Sequence, residues 1–138
     1  MKPLYILDAC ALIAFLNDEQ GADVVSDCLD GLEDGSTVII MHKINLLEVY
    51  YGFYRESGKI LADEMFDDVI DSGIQIIDSI SDDVFASAGR LKSTHRISLG
   101  DTILLAQAFT SNATVLTCDH HEFDPIDLNE PIDFKWIR

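Results

Sequence analysis

Apolar residues along this chain follow two alternating rhythms. Leu4-Tyr5-Ile6-Leu7, Thr37 to Met41, Ile74 to Ile77 and Thr114 to Thr117 are short, nearly continuous apolar runs, the pattern of strands buried on both faces. Phe134-Lys135-Trp136-Ile137 offers a fifth near the terminus. Between these runs the spacing is helical. Ala9 to Leu16 is one such stretch, and Gln20 to Leu32 carries Ala22, Val25, Leu29 and Leu32 at helical intervals until Glu33-Asp34-Gly35-Ser36 breaks the pattern. Leu46 to Arg55 follows, with Leu47, Tyr50, Tyr51 and Tyr54 on one side, and then Ile60 to Ser72, closed by Gly73. Val84, Phe85, Ala88 and Leu91 mark a further helix, and Ile103 to Phe109 another that Asn112 ends. Ser81 and Ser98 are placed to cap the last two, and Asn45, three residues before Glu48, has capping-box spacing.

Continuous apolar strands separated by helices imply an α/β fold: a three-layer α/β/α sandwich around a mainly parallel sheet of four to five strands. No repeat, low-complexity tract or flexible linker interrupts residues 1–138, which read as a single domain.

Composition narrows the class. Hydrophobic residues make up 48% of the chain, enough for a core despite the charge. Nine Lys and Arg stand against 25 Asp and Glu, a net charge of −16, which argues against broad adhesion to nucleic acid or anionic membrane and suits a basic protein partner. Cys10, Cys28 and Cys118 are odd in number and form no CxxC pair, so neither a disulfide framework nor a zinc knuckle is expected, and a reducing cytoplasm is the default location. Asp8 interrupts the apolar start of the chain and no convincing cleavage site follows. The longest apolar run, Ala9 to Leu16, is well short of the roughly 18 to 20 residues that span a bilayer. Neither export nor membrane insertion is expected.

In a parallel sheet, residues that follow strands collect at one edge, where open α/β folds bind ligands. Asp8 and Asp119 directly follow strands, while Glu48 and Asp101 sit near the starts of helices that face the same edge. Two carboxylates about 4 Å apart repel by roughly 4 kcal/mol at an effective dielectric near 20. Four together need a cation or protons. Oxygen donors without paired His or Cys favour Mg²⁺ or Mn²⁺, which can activate water and neutralise a phosphodiester oxygen. Taken singly, each acid also has a structural reading: Asp78 borders the sheet after the third strand, and Glu48 or Asp101 can serve as helix caps.

The segments Tyr5 to Ala14 (YILDACALIA), Asn45 to Gly52 (NLLEVYYG), Ser98 to Ala106 (SLGDTILLA) and Val115 to Asp119 (VLTCD) resemble, in order and spacing, the four acidic motifs of PIN-domain nucleases. The resemblance covers nearly the whole chain, and its small size is similar to that of the VapC toxins of bacterial toxin-antitoxin pairs. It implies that Asp8, Glu48, Asp101 and Asp119 are the catalytic, metal-binding acids of an RNA-cleaving enzyme. Asp8, Asp101 and Asp119 would hold Mg²⁺ or Mn²⁺, with Glu48 completing the cluster or positioning the attacking water. It further implies a homodimer and inhibition by a small antitoxin with a basic or aromatic tail. Two departures stand out. Ala9 and Cys10 replace the Thr or Ser common after the first Asp, removing a hydroxyl, and Cys118 stands where a basic residue is common. Thr117 keeps the family's hydroxyl and is expected to orient Asp119 or a bound water.

Other features carry weaker chemistry. Arg90, Lys92, His95 and Arg96 form the only basic cluster and are candidates for gripping an RNA backbone, or an ordinary solvated helix face. His120 and His121 follow Asp119 closely enough to suggest proton transfer, though exposed loop histidines are common. Tyr50, Tyr51, Phe53 and Tyr54 read mainly as core or interface rather than base-stacking surface. Cys10 and Cys118 read as small buried hydrophobes, with oxidation near the acids as the other possibility. Two other functions fit the same fold class: an aspartate-based phosphotransfer domain, disfavoured because Asp8-Ala9-Cys10 supplies no paired acids, and a non-catalytic binding module using its acidic face.

Overall fold

The computed structural model describes residues 2–138. In chain order its elements are β1 (Leu4–Leu7), α1 (Ala9–Leu16), α2 (Ala22–Glu33), β2 (Val38–His42), α3 (Lys43–Ser57), α4 (Lys59–Asp71), β3 (Gln75–Ile77), α5 (Asp82–Thr94), α6 (Leu99–Ser111), β4 (Thr114–Thr117), α7 (His120–Asn129) and β5 (Phe134–Trp136). The strands form one sheet in the order β3-β2-β1-β4-β5, with every neighbouring pair parallel. The expected parallel α/β/α architecture is therefore present, with five strands.

Alternation along the strands divides the interior into two cores. Leu7, Ile39, Met41 and Leu116 pack under α1 to α4, whereas Ile6, Ile40 and Val115 pack with buried residues of α5, α6 and α7 such as Leu91, Leu104 and Phe123. The central strands are thus apolar on both faces, which is why they lack polar alternation. Helix α6 is the most enclosed of the helices, buried from Thr102 to Ala108. Among the described residues no helix is long and apolar enough to cross a membrane.

Two local readings change. The N-cap of α3 is His42, not Asn45: the imidazole Nδ1 accepts the Ile44 amide at 3.3 Å, and the helix starts one turn earlier than the capping-box spacing suggests. Helix α7 has no counterpart in the hydrophobic pattern. Pro125 lies inside it and Leu128 is 85% exposed, so it shows no apolar stripe, but Asp119 caps its first turn by accepting the Glu122 amide at 3.2 Å. His120 and His121 are consequently helical rather than loop residues.

Candidate metal centre

The loops after β1 and β4 leave the sheet side by side, since Leu7 pairs with Leu116 and the Asp8 amide donates to the Leu116 carbonyl at 3.1 Å. Asp8 then caps α1 and is only 4% exposed. Three donors hold its carboxylate: the Ala9 amide on Oδ1 at 2.8 Å, and the Cys10 thiol and Thr117 hydroxyl on Oδ2 at 3.2 and 2.7 Å. Where the hydroxyl after Asp8 is missing, the Cys10 thiol bonds the carboxylate beside Thr117, so Cys10 acts as a hydrogen-bonding thiol rather than a mere hydrophobe. Thr117 Oγ1 also accepts the Asp119 amide at 3.1 Å, so one side chain ties two of the motif acids together.

The other acids arrive on helices. Ser98 caps α6 by accepting the Asp101 amide at 3.2 Å, which places Asp101 in the first turn. Glu48 lies in the second turn of α3, where the Asn45 amide group donates to its Oε1 at 3.3 Å and to the Gly100 carbonyl at 3.1 Å. Asn45 is wholly buried, and its Oδ1 has no hydrogen-bond partner among the described residues. Gly100 matters for the same contact, because a Cβ there would collide with Glu48 Oε1. From the chain pattern alone Asn45 has only a capping role and Gly100 has none.

Asp8, Glu48, Asp101 and Asp119 line a single cavity of about 300 Å³, together with Ala9, Cys10, Ile13 and Tyr51. Their electrostatics record the crowding. Burial, opposed by its hydrogen bonds and reinforced by the Asp119 charge, raises the Asp8 pKa. Burial and the Asp8 charge likewise raise Glu48. Asp101 is pushed up to about 7, first by burial, then by the charge of Asp8, with smaller contributions from Glu48 and Glu122. Glu122 is therefore a fifth acid near the cluster. Its signal in the sequence was the spacing Asp119-x-x-Glu122, a capping-box interval at the start of α7.

Among the described residues no three His, Cys, Asp or Glu side chains stand as a ready-made direct cage for an ion. The donor chemistry nonetheless fits a hard divalent cation that keeps part of its water shell. All four motif acids offer oxygen, they share one cavity, and Mg²⁺ characteristically takes only one or two carboxylates directly.

The basic cluster is spread elsewhere. Arg90 grips Glu130 through both terminal nitrogens at 3.2 and 2.8 Å, and His95 meets the same carboxylate at 2.7 Å. Glu130 is the C-cap of α7, one helix length from Asp119 at its N-cap, or about 15 Å. Lys92 donates to the Ile97 carbonyl at 2.6 Å, while Arg96 is exposed. His120 bonds Asp124 Oδ1 at 2.8 Å and the Arg138 carbonyl at 2.9 Å and stacks on Trp136; both ring nitrogens face acceptors, and the Asp124 bond leads in raising its pKa. Of the aromatic residues on α3, Tyr51 and Tyr54 are 48% and 46% exposed, so they are surface rather than core, and Tyr51 reaches the acidic cavity.

The PIN domain family model matches residues 5–127. No curated protein matches the chain at a significant level. Among solved structures, the DNA-bound VapBC of Salmonella typhimurium contains a chain similar over 100% of both chains, with a TM-score of 0.75 at 14% identity. VapBC2 of Rickettsia felis, bound to a promoter DNA fragment, is similar over 96% of this chain and 97% of its own, with a TM-score of 0.73 at 20% identity. VapBC-1 of nontypeable Haemophilus influenzae is similar over 97% and 98%, with a TM-score of 0.72 at 16% identity. At these identities the likeness is one of fold.

Proposed function

This chain belongs to the PIN domain family, and from that premise we propose that it is a divalent-cation-dependent endoribonuclease, the VapC-like toxin of a toxin-antitoxin pair. The observation that carries the reading is the meeting of Asp8, Glu48, Asp101 and Asp119 in one cavity. Asp8, Asp101 and Asp119 would hold Mg²⁺ or Mn²⁺, and Glu48 completes the cluster. The cation, when bound, supplies the positive charge that offsets these carboxylates and stabilises charge developing on a phosphodiester during hydrolysis.

The chain's own residues fix the geometry of that cluster. Ala9, Cys10 and Thr117 point Asp8 with three hydrogen bonds. Ser98 sets the turn that carries Asp101, and Asn45 holds Glu48 against α6. Tyr51 borders the cavity with an exposed ring on which a base can stack. RNA enters against a protein of net charge −16, so selective cutting at particular sites of a structured RNA fits better than bulk degradation. The same charge speeds capture of a basic segment, which agrees with a small basic antitoxin as partner. Antitoxin-toxin complexes among the similar structures support that partner. A homodimer acting in the cytoplasm completes the proposal.

The test is cleavage of RNA with and without Mn²⁺ or Mg²⁺ by wild type, Asp8→Asn and Asp101→Asn. Cation-dependent cleavage lost in both variants supports the reading. Equal activity in all three overturns it.

A further inference from the structure

Helix α3 continues outward from the cavity past Glu48. At 3.6 residues per turn, Glu48, Tyr51, Gly52 and Arg55 fall within an arc of about 100°, and Arg55 lies about 10 Å beyond Glu48 along the axis. Glu48 and Tyr51 line the acidic cavity, so this face of the helix leads out of it. Arg55 is exposed, with its guanidinium 5.4 Å from the centre of the Tyr51 ring. Lys59, Arg90 and Arg138 are each held by a carboxylate, but among the described residues Arg55 forms no ion pair. In a chain with 25 acids, a guanidinium placed over an aromatic ring and free of all of them keeps its donors for an anion from outside.

Gly52 is a second, independent observation. Six of the eight glycines have a positive φ or a space that a Cβ would overfill; Gly52 and Gly89 have neither, and a Cβ on either meets nothing within 4 Å. Neither backbone nor packing therefore requires glycine at position 52, and alanine would favour the helix. What the glycine provides is a bare strip of helix between Glu48 and Arg55, beside the Tyr51 ring. A ligand backbone can approach closely there.

We propose that Tyr51, Gly52 and Arg55 form a track for single-stranded RNA leaving the acidic cavity: a base stacks on Tyr51, the sugar-phosphate backbone crosses Gly52, and Arg55 holds a phosphate. The inference rests on the nuclease reading for the identity of its ligand. An aromatic platform beside a cation is the combination that binds an unpaired strand, since stacking needs a base freed from its neighbours. A basic protein segment is a poorer occupant, because Arg55 repels it. The track also gives an acidic chain one place where a phosphate meets attraction next to the cluster that repels it.

Binding of a short fluorescent single-stranded RNA of mixed sequence to the full-length protein is read by anisotropy across a salt series, without divalent cation so that the probe survives. Arg55→Gln should weaken binding about tenfold and lower the slope of log affinity against log salt by about 0.7. Arg55→Lys should restore the slope. Gly52→Ala should weaken binding at least about fivefold with the slope unchanged, while the melting temperature holds or rises. Lys135→Gln removes the same charge on β5, three strands from β2, and Gly89→Ala adds the same methyl on α5; both should bind as wild type does. In cleavage assays with Mn²⁺, the Arg55→Gln and Gly52→Ala changes should appear in KM and leave kcat near wild type. Unaltered RNA binding in Arg55→Gln or Gly52→Ala, an equal loss in Lys135→Gln, or wild type that binds no RNA would overturn the track. Wild type that binds RNA with these differences but cleaves none with Mn²⁺ or Mg²⁺ overturns the nuclease reading alone.

Discussion

The hydroxyl of Thr117 donates to Asp8 Oδ2 at 2.7 Å, joining the ends of β4 and β1 across 109 positions of sequence. This bond orients a carboxylate that is almost wholly enclosed. Thr117→Val keeps the shape and removes the donor, so RNA cleavage should fall by about 10- to 100-fold and Mn²⁺ affinity should weaken with it. Thr117→Ser should retain most of both. Cation titration and kcat/KM for the two variants decide the matter, and a Val variant as active as wild type would remove Thr117 from the site.

Gly100 gives a test in which stability and activity part company. Ala is better than Gly in a helix by about 1 kcal/mol, so propensity alone favours Gly100→Ala. Here, however, the added Cβ meets Glu48 Oε1 and must displace it. Activity should drop at least about tenfold while the melting temperature holds or rises, since Glu48 can swing outward. Gly89→Ala in α5, where nothing lies within 4 Å of the new methyl, should gain stability with unchanged cleavage. Thermal melts paired with cleavage assays check both.

Mutual repulsion and burial should make the cluster a source of instability. The folded pKa of Asp8 is raised, so its contribution favours the fold at low pH and turns against it as pH rises through that value. Asp8→Asn should therefore stabilise the cation-free protein at pH 7, by about 1 kcal/mol or roughly 3 to 6 °C. Added Mn²⁺ should raise the melting temperature of wild type and much less that of the variant. A variant that melts lower than wild type would contradict this.

His42 governs a separate pH response. It is 4% exposed, with Nδ1 accepting from Ile44 and Nε2 donating to the Ser79 carbonyl, and burial lowers its pKa. The unfolded chain takes up the proton first as pH falls, so the stability that His42 contributes is present above about pH 6.5 and is lost as pH drops through its lower folded value. Protonation of Nδ1 also removes the α3 cap. His42→Asn, which keeps a capping oxygen, should flatten the difference in urea midpoint between pH 7.5 and 5.5 relative to wild type.

Tyr51 should act on substrate binding rather than on the chemical step. Its ring is half exposed at the cavity rim, with the Arg55 guanidinium 5.4 Å from the ring centre. Loss of base stacking costs about 1 to 3 kcal/mol. Tyr51→Ala should raise KM about tenfold or more with a smaller change in kcat, and Tyr51→Phe should leave both near wild type. The reverse split would assign Tyr51 a different role.

Much of this site was legible because its acids obey topology: in an all-parallel sheet, Asp8 and Asp119 reach one edge by following strands, and Glu48 and Asp101 reach it from the first two turns of helices. What escaped was side-chain traffic between distant segments. Asn45 looked like a cap because Glu48 follows it by three, yet its partner on α6 is the Gly100 carbonyl, 55 residues away. Arg90 and His95 looked like a free basic patch, and only the fold reveals that Glu130 holds both. Helix α7 lacked an apolar stripe because just Phe123 and Ile126 anchor it to the core.

The burial of the central two turns of α6 sets up an imbalance in stiffness around the cavity. Asp101 rides directly before the buried stretch Thr102–Ala108, which cannot shift without disturbing the sheet, so the amides of that stretch should exchange with solvent only through global opening. Glu48 rides on α3, whose outer side carries exposed Leu47, Tyr51 and Tyr54 beside α4 with exposed Ile60 and Leu61. A protein gripping that outer side would pull on one wall of the cavity while Asp8 and Asp101 stayed anchored, and could disarm the cluster from outside without ever entering it.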